Sequence, residues 1–455
     1  MVGPDPETRI ERLLAAMTLE EKLGQLTMLA ADPALSGPGL AEDYIAATRA
    51  GRVGSLLNLW GAERTREVQR VAVEQTRLGI PLLLTFDVIH GHRTIFPVPL
   101  GEAAAFDPAL WERTARAAAA EAAADGLALT FAPMLDVTRD PRWGRIAESP
   151  GEDPWLAARF AEAKIRGFQH QDLAAADSLA ATAKHLGGYG AVTAGREYAS
   201  VDASERSLHE VYLPPFQAAV DAGVAAIMPA FTDLAGVPMS ANAAILRDLV
   251  RARWGFEGVI ISDYAAIAEL VAHGVAEDIA DAAALALEAG IDIDMMGNAY
   301  SRGLPIALQR GRATMTDIDA AVRRVLELKT RLGLFDEPYG RTSADPPDPT
   351  RPSRYRQLAR DAARRSIVVL TNNNGVLPLP ATACRIALIG PLAAARSEML
   401  GPWAAAGAAD EAVTLLDGLR AALPQSEIVH AQGAEIEGHD ASGIPEALDV
   451  ARAAD

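Results

Sequence analysis

Apolar runs of strand length alternate with longer amphipathic stretches across residues 10–335, and this alternation constrains the fold more than any other feature. Seven runs qualify: 53–59, 81–87, 128–137, 180–186, 225–231, 258–264 and 291–296. Strands that are apolar on both faces must be covered on both sides, as in a parallel sheet between helices. The pattern predicts an α/β fold, a (β/α)8 TIM-type barrel with one strand irregular or unrecognised. A doubly wound sheet is the alternative, although no Gly-rich dinucleotide fingerprint follows the first strand.

The composition of the sequence changes after residue 335. Five prolines, at positions 338, 346, 347, 349 and 352, stand among charged residues and predict a stiff, extended linker. Beyond it, strand patterns at 366–371, 385–390 and 427–430 alternate with helical patterns at 358–365, 411–423 and 445–454. We therefore predict a barrel domain at 1–335, a linker at 336–357, and the N-terminal part of an α/β sandwich domain at 358–455. We expect this sandwich to continue in a longer chain.

Charge excludes several classes of partner. The chain has 42 basic and 60 acidic residues, a formal net charge of −18, which disfavours nucleic acid and anionic membrane surfaces. No uncharged apolar run approaches the roughly 18 residues that a membrane span needs. The first residues do not resemble a signal peptide, so we expect a cytoplasmic location as the sequence stands, or a periplasmic one if a leader has been removed. A homodimer is compatible with these features.

Cysteine and histidine usage indicates neither a disulfide nor a metal site. The single cysteine, Cys384, precedes an apolar run and is expected to be a buried, inert thiol. The eight histidines form no HExxH pattern, and His90 and His92 alone are a weak metal signal. We predict no metal and no cofactor.

Charged side chains follow several of the predicted strands. In a parallel barrel the chemistry lies at the carboxyl ends of the strands. Those positions hold Asp87, Asp136, Lys184 with His185, Met228 and Asp263. Burying so much unpaired charge would be costly, so the set predicts a site that grips a polar, hydroxyl-rich substrate.

Each of these residues also has a purely structural interpretation. Asp87 could cap the turn after its strand, and Asp263 could N-cap a helix that begins near Ala265. Arg142 and Arg145 flank Trp143 in a turn-rich loop, where they could form a structural knot of ion pairs. Taken singly, the residues leave these alternatives open.

Six segments in register carry a family resemblance. They are Phe86-Asp-Val-Ile-His-Gly91, Ala132-Pro-Met-Leu-Asp-Val-Thr-Arg-Asp-Pro-Arg-Trp-Gly-Arg145, Ser149-Pro-Gly-Glu-Asp-Pro154, Lys184-His-Leu-Gly-Gly-Tyr-Gly190, Met228-Pro-Ala-Phe231 and Trp254-Gly-Phe-Glu-Gly-Val-Ile-Ile-Ser-Asp263. The series resembles glycoside hydrolase family 3, and within it the bacterial periplasmic-type β-glucosidases, over essentially the whole chain.

The resemblance implies retaining exo-hydrolysis of terminal non-reducing β-D-glucosyl residues from β-linked glucosides or oligosaccharides. It implies that Asp263 is the nucleophile. Contacts to the terminal sugar are implied for Asp87, Arg145, Lys184 and His185, a further basic contact for Arg196, and a position beside the sugar for Met228. Tyr264 and Trp403 match aromatic residues that border the leaving group, although Trp403 could instead pack between domains.

Departures from the family pattern leave other functions open. The family's second-domain acid/base Glu is not found in this sequence, and only sequence order makes Glu435 and Glu437 candidates to replace it. A sugar-binding chain with impaired catalysis and a β-xylosidase therefore remain alternatives. The loop after Lys184-His185 lacks the Asp-x-His pair of N-acetylglucosaminidases, which disfavours that activity. A barrel aldolase or isomerase that uses Lys184 as a Schiff base is a more distant alternative.

Overall fold

The computed structural model describes residues 6–32, 43–342, 351–379 and 382–455. The chain divides into two compact units, Met1–Ser366 and Ile367–Asp455.

An eight-stranded parallel sheet forms the centre of the first unit. Its strands are β1 (Thr27–Ala30), β2 (Ser55–Leu57), β3 (Leu83–Phe86), β4 (Leu129–Thr130), β5 (Ala180–Leu186), β6 (Ala226–Pro229), β9 (Val259–Ile260) and β10 (Asp294–Met295); a small hairpin, β7 (Asp233–Leu234) with β8 (Val237–Pro238), lies between β6 and β9. Their spatial order is β10-β1-β2-β3-β4-β5-β6-β9. This order lacks the reversal that defines a doubly wound sheet. A parallel bridge between Ile261 and Ile293 links the ends of β9 and β10.

All seven predicted runs contain a strand of this sheet, and the strand that the sequence analysis missed is β1. Its four residues directly follow helix α2 (Leu19–Gln25), with only Leu26 between them. Every β1 side chain is buried, so the apolar pattern of the helix continues into the strand without a break. Periodicity alone cannot divide such a segment.

Helices flank the sheet. Those of the first unit are α1 (Pro6–Ala16), α2, α3 (Tyr44–Arg49), α4 (Ala62–Gln75), α5 (Pro99–Ala103), α6 (Pro108–Ala124), α7 (Pro154–Gln169), α8 (Glu205–Ser207), α9 (Pro214–Asp221), α10 (Ile279–Ala289), α11 (Ala299–Gln309), α12 (Met315–Arg331) and α13 (Arg351–Ser366), with π-helical turns at Leu208–Tyr212 and Ala244–Arg253. Across the described residues, no helix combines the length and the apolar character that a bilayer crossing requires.

Small residues allow α6 and α7 to pack closely. A Cβ atom on Gly167 would lie 2.4 Å from the carbonyl oxygen of Glu112, so glycine permits this approach of the two backbones. Seven of the nine alanines of α6 are buried, which suits a close helix–helix contact. Beside this contact, Nζ of the buried Lys164 donates to the buried carboxylate of Glu102 over 2.5 Å.

The predicted linker is not extended in the structure, where Gly340–Thr342 already form a 3-10 helix. Residues 336–357 were expected to be extended, but α13 is helical from Arg351, and residues 343–350 lie outside the described part of the chain. Helix α13 contacts α5 and α6, and Arg365 pairs with Asp107 at the start of α6. The helical pattern at 358–365 therefore belongs to the first unit. The Pro-rich composition of the segment does not reveal the contacts of α13 with α5 and α6, so an extended linker was predicted there.

The second unit contains a two-stranded parallel sheet, β11 (Arg385–Ile389) with β12 (Glu427–Ala431), and helices α14 (Leu415–Ala422) and α15 (Ile444–Arg452). The strand predicted at 366–371 does not form: Ser366 ends α13, and residues 367–370 are exposed and irregular. The apolar run reads as a strand, but within the described residues no neighbouring strand pairs with it. A strand needs such a partner to satisfy its backbone groups.

Candidate active site

Polar side chains gather where neighbouring strands of the first unit end. Asp87 follows β3, Asp136 follows β4, Lys184 and His185 end β5, and Asp263 follows β9. A bridge between Met134 and Lys184 aligns the segment after β4 with β5. The parallel sheet thereby brings together five residues that are up to 176 positions apart in sequence, from Asp87 to Asp263.

Lys184 and Asp87 form an ion pair on adjoining parts of the sheet. Nζ of Lys184 donates to Oδ1 of Asp87 over 2.8 Å, and both side chains are largely buried. Met228 lies opposite Lys184 in the register of β5 and β6, and it too is buried. Asp87 therefore serves as the partner of a buried ammonium group rather than as a helix cap.

Asp136 fixes the orientation of His185. Its Oδ2 accepts both the backbone N–H and Nδ1 of His185, each over 2.9 Å. Burial raises the pKa of Asp136 to about 8, against the opposing effect of the His185 N–H, Arg145 and Lys184. Its other oxygen, Oδ1, is buried without a hydrogen-bond partner among the described residues. A proton on Oδ1 would leave Oδ2 free to accept from the ring, so the contact persists in either protonation state of Asp136.

His185 is held as a neutral ring with its Nε2 lone pair directed into the site. Burial, together with the Arg145 and Lys184 charges, holds its pKa well below the ordinary value. Nη2 of Arg145 lies 3.2 Å from Nε2 of His185. Because guanidinium groups only donate, Nε2 accepts and the ring proton resides on Nδ1, facing Asp136.

Arg145 is anchored by a buried carboxylate three residues along the same 3-10 turn, Gly144–Glu148. Its Nε and Nη2 donate to the two oxygens of Glu148 over 2.8 and 3.1 Å. The guanidinium also lies over the Tyr189 ring, 5.6 Å from its centroid. Burial alone would lower the pKa of Arg145, but Glu148 and Asp263 raise it above its usual value, so the side chain stays charged.

Asp263 is the least constrained carboxylate of the cluster. In the described part of the chain its hydrogen-bond donor is the N–H of Tyr264, 2.7 Å from Oδ1. Burial raises its pKa to about 6, while the positive charges of Lys184 and Arg145 limit the rise. Asp263 is therefore mostly ionised at neutral pH, and Oδ2 faces the site.

The structure does not support the helix-cap interpretation of Asp263. Residues 264–267 form a turn, and the short 3-10 helix Ala268–Leu270 that follows has Ile267 at its N-cap without a side-chain cap. The hydroxyl of Ser262 accepts from the N–H of Met295 instead. The carboxylate thus lies beside the cluster and not at a helix end.

Other candidate residues lie outside this network. Arg142 is exposed and pairs with Asp140, and the exposed Arg196 makes no hydrogen bond or ion pair with the cluster in the described residues. Tyr264 adjoins Asp263, and its hydroxyl is buried without a partner among those residues. Trp403 lies in the second unit and is 38% exposed. The roles implied for Arg196 and Trp403 remain predictions from the resemblance.

His90 and His92, the weak metal signal in the sequence, each contact another group of the protein through one ring nitrogen. Nδ1 of His90 lies 2.8 Å from the carbonyl oxygen of Phe96. Nε2 of His92 lies 2.7 Å from Oδ2 of Asp125, which also pairs with Arg93. The two rings are thus committed to different parts of the structure.

Three residues of the site went unrecognised in the sequence: Glu148, Tyr189 and Glu197. Glu148 had a readable signal, because a carboxylate three residues after Arg145 can pair with it on a helical turn. Tyr189 and Glu197 had none, since their contacts depend on how the loop after β5 folds back.

The strand ends of the parallel sheet thus hold a buried carboxylate, whose pKa burial raises to about 6, beside a lysine, an arginine and a neutral histidine, a set that suits a polar, hydroxyl-rich ligand. The chain belongs to glycosyl hydrolase family 3. Residues 18–328 match the family's N-terminal domain and residues 367–455 its C-terminal domain.

Relatives with known names agree with this assignment. The chain is 40% identical to a periplasmic β-glucosidase of Salmonella typhimurium over 95% of its length, and 34% identical to a β-xylosidase of Formosa agariphila over 86%. A solved β-glucosidase from Listeria innocua, in complex with isofagomine, matches 99% of the chain with a TM-score of 0.91 and 36% identity. The chain spans 57%, 58% and 62% of the lengths of these three proteins.

Proposed function

We propose that the protein removes terminal β-D-glucosyl residues from the non-reducing ends of β-glucosides, with retention of configuration, and that Asp263 is the nucleophile. One observation carries this assignment. Asp87, Asp136, Glu148 and Glu197 each accept a hydrogen bond from a cluster side chain, whereas the one hydrogen bond that Asp263 accepts among the described residues comes from a backbone N–H. Asp263 is therefore the carboxylate available to attack.

In the proposed first step, Oδ2 of Asp263 attacks the anomeric carbon and the bond to the leaving-group oxygen breaks. A glycosyl ester forms on Asp263, and water later hydrolyses it with net retention. Only the ionised carboxylate is nucleophilic, and the charges of Lys184 and Arg145 favour that form.

The neighbouring side chains suit a sugar ring. Asp87 offers acceptors, Lys184 and Arg145 offer charged donors, and Nε2 of His185 can accept a sugar hydroxyl in place of the Arg145 N–H. We propose that these four groups hold the hydroxyls of the terminal sugar, with Met228 beside the ring. Charge-assisted hydrogen bonds of this kind give both affinity and orientation. Tyr264, next to Asp263, is proposed to border the leaving group.

The general acid/base is proposed to come from outside this cluster. Retaining glycosidases use two carboxyl groups about 5 Å apart, one as nucleophile and one as acid and base. The other carboxylates of the cluster are held by Lys184, His185, Arg145, Trp143 or Tyr189. Using one of them as the acid would require breaking those contacts.

We also propose that the first unit is a closed (β/α)8 barrel whose domain boundary lies at Ser366. The monotonic strand order and the bridge between Ile261 and Ile293 support closure, because that bridge joins the two outer strands of the sheet. The contacts of α13 with α5 and α6 support the boundary.

Covalent labelling tests the nucleophile directly. A dinitrophenyl glucoside with fluorine beside the anomeric carbon has a leaving group that departs without protonation, so the glycosyl ester should accumulate even if the acid/base is missing. We expect one fluoroglucosyl group on the peptide that contains Asp263. Asp263→Asn should abolish labelling, while the exposed-site control Asp221→Asn should label normally. A label on any other residue would overturn the assignment.

Turnover of two substrates separates an active enzyme from an impaired sugar-binding chain. General acid/base catalysis contributes about 10²–10⁴-fold, and its loss matters most for poor leaving groups. A chain without the acid/base should hydrolyse a dinitrophenyl glucoside but act on cellobiose slower by that factor. Ordinary rates on cellobiose would show that an acid/base is present.

A β-xyloside is a second candidate substrate, because the relative from Formosa agariphila is named a β-xylosidase. A xyloside differs from a glucoside by the missing hydroxymethyl group of the ring. We expect glucoside preference in kcat/KM when aryl glucoside and aryl xyloside carry the same leaving group. The reverse ratio would assign the xylosidase activity instead.

A periplasmic location is proposed from the name of the Salmonella relative. Fractionation of the source cells, followed by immunodetection, would test it. Recovery with the cytoplasmic marker would contradict the proposal.

A further inference from the structure

Glu197 joins the loop after β5 to the loop that carries Arg145. Its Oε1 accepts the hydroxyl of Tyr189, and its Oε2 accepts the indole Nε1–H of Trp143. The carboxylate is about one-third exposed, whereas the Trp143 and Tyr189 side chains are fully buried. A single surface-reaching carboxylate thus satisfies the polar atoms of two buried aromatic rings.

These two rings form a wall behind the candidate active site. The Trp143 and Tyr189 rings lie 5.0 Å apart at 62°, and the Tyr189 ring meets His185 edge-on at 5.3 Å. Arg145 lies over the Tyr189 ring on the same wall. A displacement of Tyr189 would therefore move the support of both Arg145 and His185.

Removing the acceptor would be costly. A buried N–H or O–H that loses its hydrogen-bond partner costs about 1–3 kcal/mol, so the rings would shift to find water or another acceptor. Within the described residues, Glu197 is the acceptor that the structure shows for Trp143 Nε1–H and for the Tyr189 hydroxyl. Both aromatic polar atoms therefore depend on one side chain.

The loop that carries Glu197 is not held by regular structure. Ala194 and Tyr198 adopt left-handed φ values of 60° and 62°, which are unfavourable for residues with a side chain. The carbonyl of Ser200 accepts both the N–H and the hydroxyl of Thr193, which closes the loop on itself. The Glu197 contacts attach this loop to the wall.

Glu197 also lies near the charge of Arg145. Its Oε1 is 3.9 Å from Nη1 of Arg145, on the side of the guanidinium away from the Nη2 contact with Glu148. The closer, bidentate Glu148 supplies the main ion pair. The specific contribution of Glu197 is therefore its two hydrogen bonds to the aromatic rings.

We propose that Glu197 is a positioning residue: through Tyr189 and Trp143 it holds Arg145 and His185 in the geometry that binds the terminal sugar. The inference rests on the proposed function, since it assigns the sugar to that site. Glu197 need not touch the substrate, and its effect is expected on sugar affinity.

Two substitutions at position 197 separate hydrogen bonding from charge. In Glu197→Gln, the amide oxygen can accept from Trp143 and the amide N–H can donate to the Tyr189 oxygen, so both rings keep a hydrogen bond to residue 197 without the charge, with the direction of the Tyr189 bond reversed. In Glu197→Ala, both contacts are lost. Glu210→Ala, which removes only an exposed pair with Arg206, is the matched control.

The readout is isofagomine affinity of the 455-residue chain by calorimetry, with thermal melting of each variant alongside. We expect Glu197→Ala to weaken binding about tenfold or more, which corresponds to about 1.4 kcal/mol, and Glu197→Gln and Glu210→Ala to stay within about threefold of the parent. If Glu197→Ala does not fold, Tyr189→Phe replaces it, because it removes one of the two contacts and should weaken binding by a smaller factor.

The inference would be overturned if a folded Glu197→Ala, or Tyr189→Phe in its place, bound isofagomine like the parent. It would also be overturned if Glu197→Gln bound as weakly as Glu197→Ala. Failure of the parent chain to bind isofagomine would instead overturn the proposed sugar site itself.

Discussion

Nε2 of His185 lies 3.5 Å from Oδ2 of Asp263, and neither atom carries a proton to donate to the other when His185 is neutral and Asp263 is ionised. Because His185 is neutral and its proton faces Asp136, it does not supply a positive charge to Asp263. The gap between the two acceptors suits a ligand that brings its own donor, such as a hydroxyl or an ammonium group. The ionisation of Asp263 then depends on burial and on the charges of Lys184 and Arg145.

The pH dependence of labelling should follow the pKa of Asp263, which is about 6. Below that value the carboxyl is protonated and cannot attack, so the labelling rate by the dinitrophenyl fluoroglucoside should fall about tenfold per pH unit. Above it the rate should level off. Rates measured between pH 4.5 and 8, with thermal melting at each pH as the control for unfolding, test this. A rate that stays constant down to pH 4.5 would contradict it.

The same carboxylate should reduce stability at neutral pH. Its pKa is raised on folding, from 3.8 to about 6, so the folded state binds the proton more tightly. The stability contributed below pH 4 is therefore lost as the pH rises through 6. Asp263→Asn should raise the free energy of unfolding at pH 7 by about 3 kcal/mol, at about 1.36 kcal/mol per pKa unit, and by much less near pH 4. Denaturant unfolding at both pH values is the measurement, with Asp221→Asn as the control. An equal gain in the free energy of unfolding at pH 4 and at pH 7 would show that burial of the charged carboxylate does not cause the gain.

Arg145 should contribute to stability and to binding in separable ways. Arg145→Met leaves the buried Glu148 without its bidentate partner, which is expected to cost about 3–5 kcal/mol and to abolish isofagomine binding. Adding Glu148→Leu removes the stranded charge and should restore most of the stability, but not the binding. Denaturant unfolding and calorimetry on both variants test this. Recovery of binding in the double variant would exclude Arg145 as a sugar contact.

The strand ends were predictable because a parallel sheet brings them to one edge whatever the details of packing. Asp87, Lys184, His185 and Asp263 were all identified in this way and lie together in the structure. The pairing of each residue was not predictable. The sequence places Asp136 at the end of a strand, but it does not show that Asp136 sets the tautomer of His185. That role depends on the hydrogen-bond distance between the two side chains, which the sequence does not determine.

Two parts of the fold were predicted incorrectly from the sequence, for different reasons. Strand β1 was not predicted because it is short and is separated from the preceding helix by a single apolar residue, Leu26. The apolar run at 367–370 has the composition of a strand, yet its backbone pairs with no strand among the described residues. Local sequence reports the capacity to form a strand, while pairing is decided by long-range contacts.

We expect that breaking the buried ion pair of Lys164 and Glu102 lowers the free energy of unfolding more than breaking an exposed ion pair does. Lys164→Met leaves the fully buried Glu102 carboxylate with the Thr114 hydroxyl as its remaining side-chain donor among the described residues, so the free energy of unfolding should fall by about 3–5 kcal/mol. Lys164→Met with Glu102→Leu replaces both charges by apolar groups of similar size and should recover most of that loss. Arg166, also on α7, forms an exposed ion pair with Glu112 of α6, and Arg166→Met should cost less than about 1 kcal/mol. Denaturant unfolding of the three variants measures the difference. A cost for Lys164→Met as small as that for Arg166→Met would show that water reaches Glu102 and that the pair is not buried in solution.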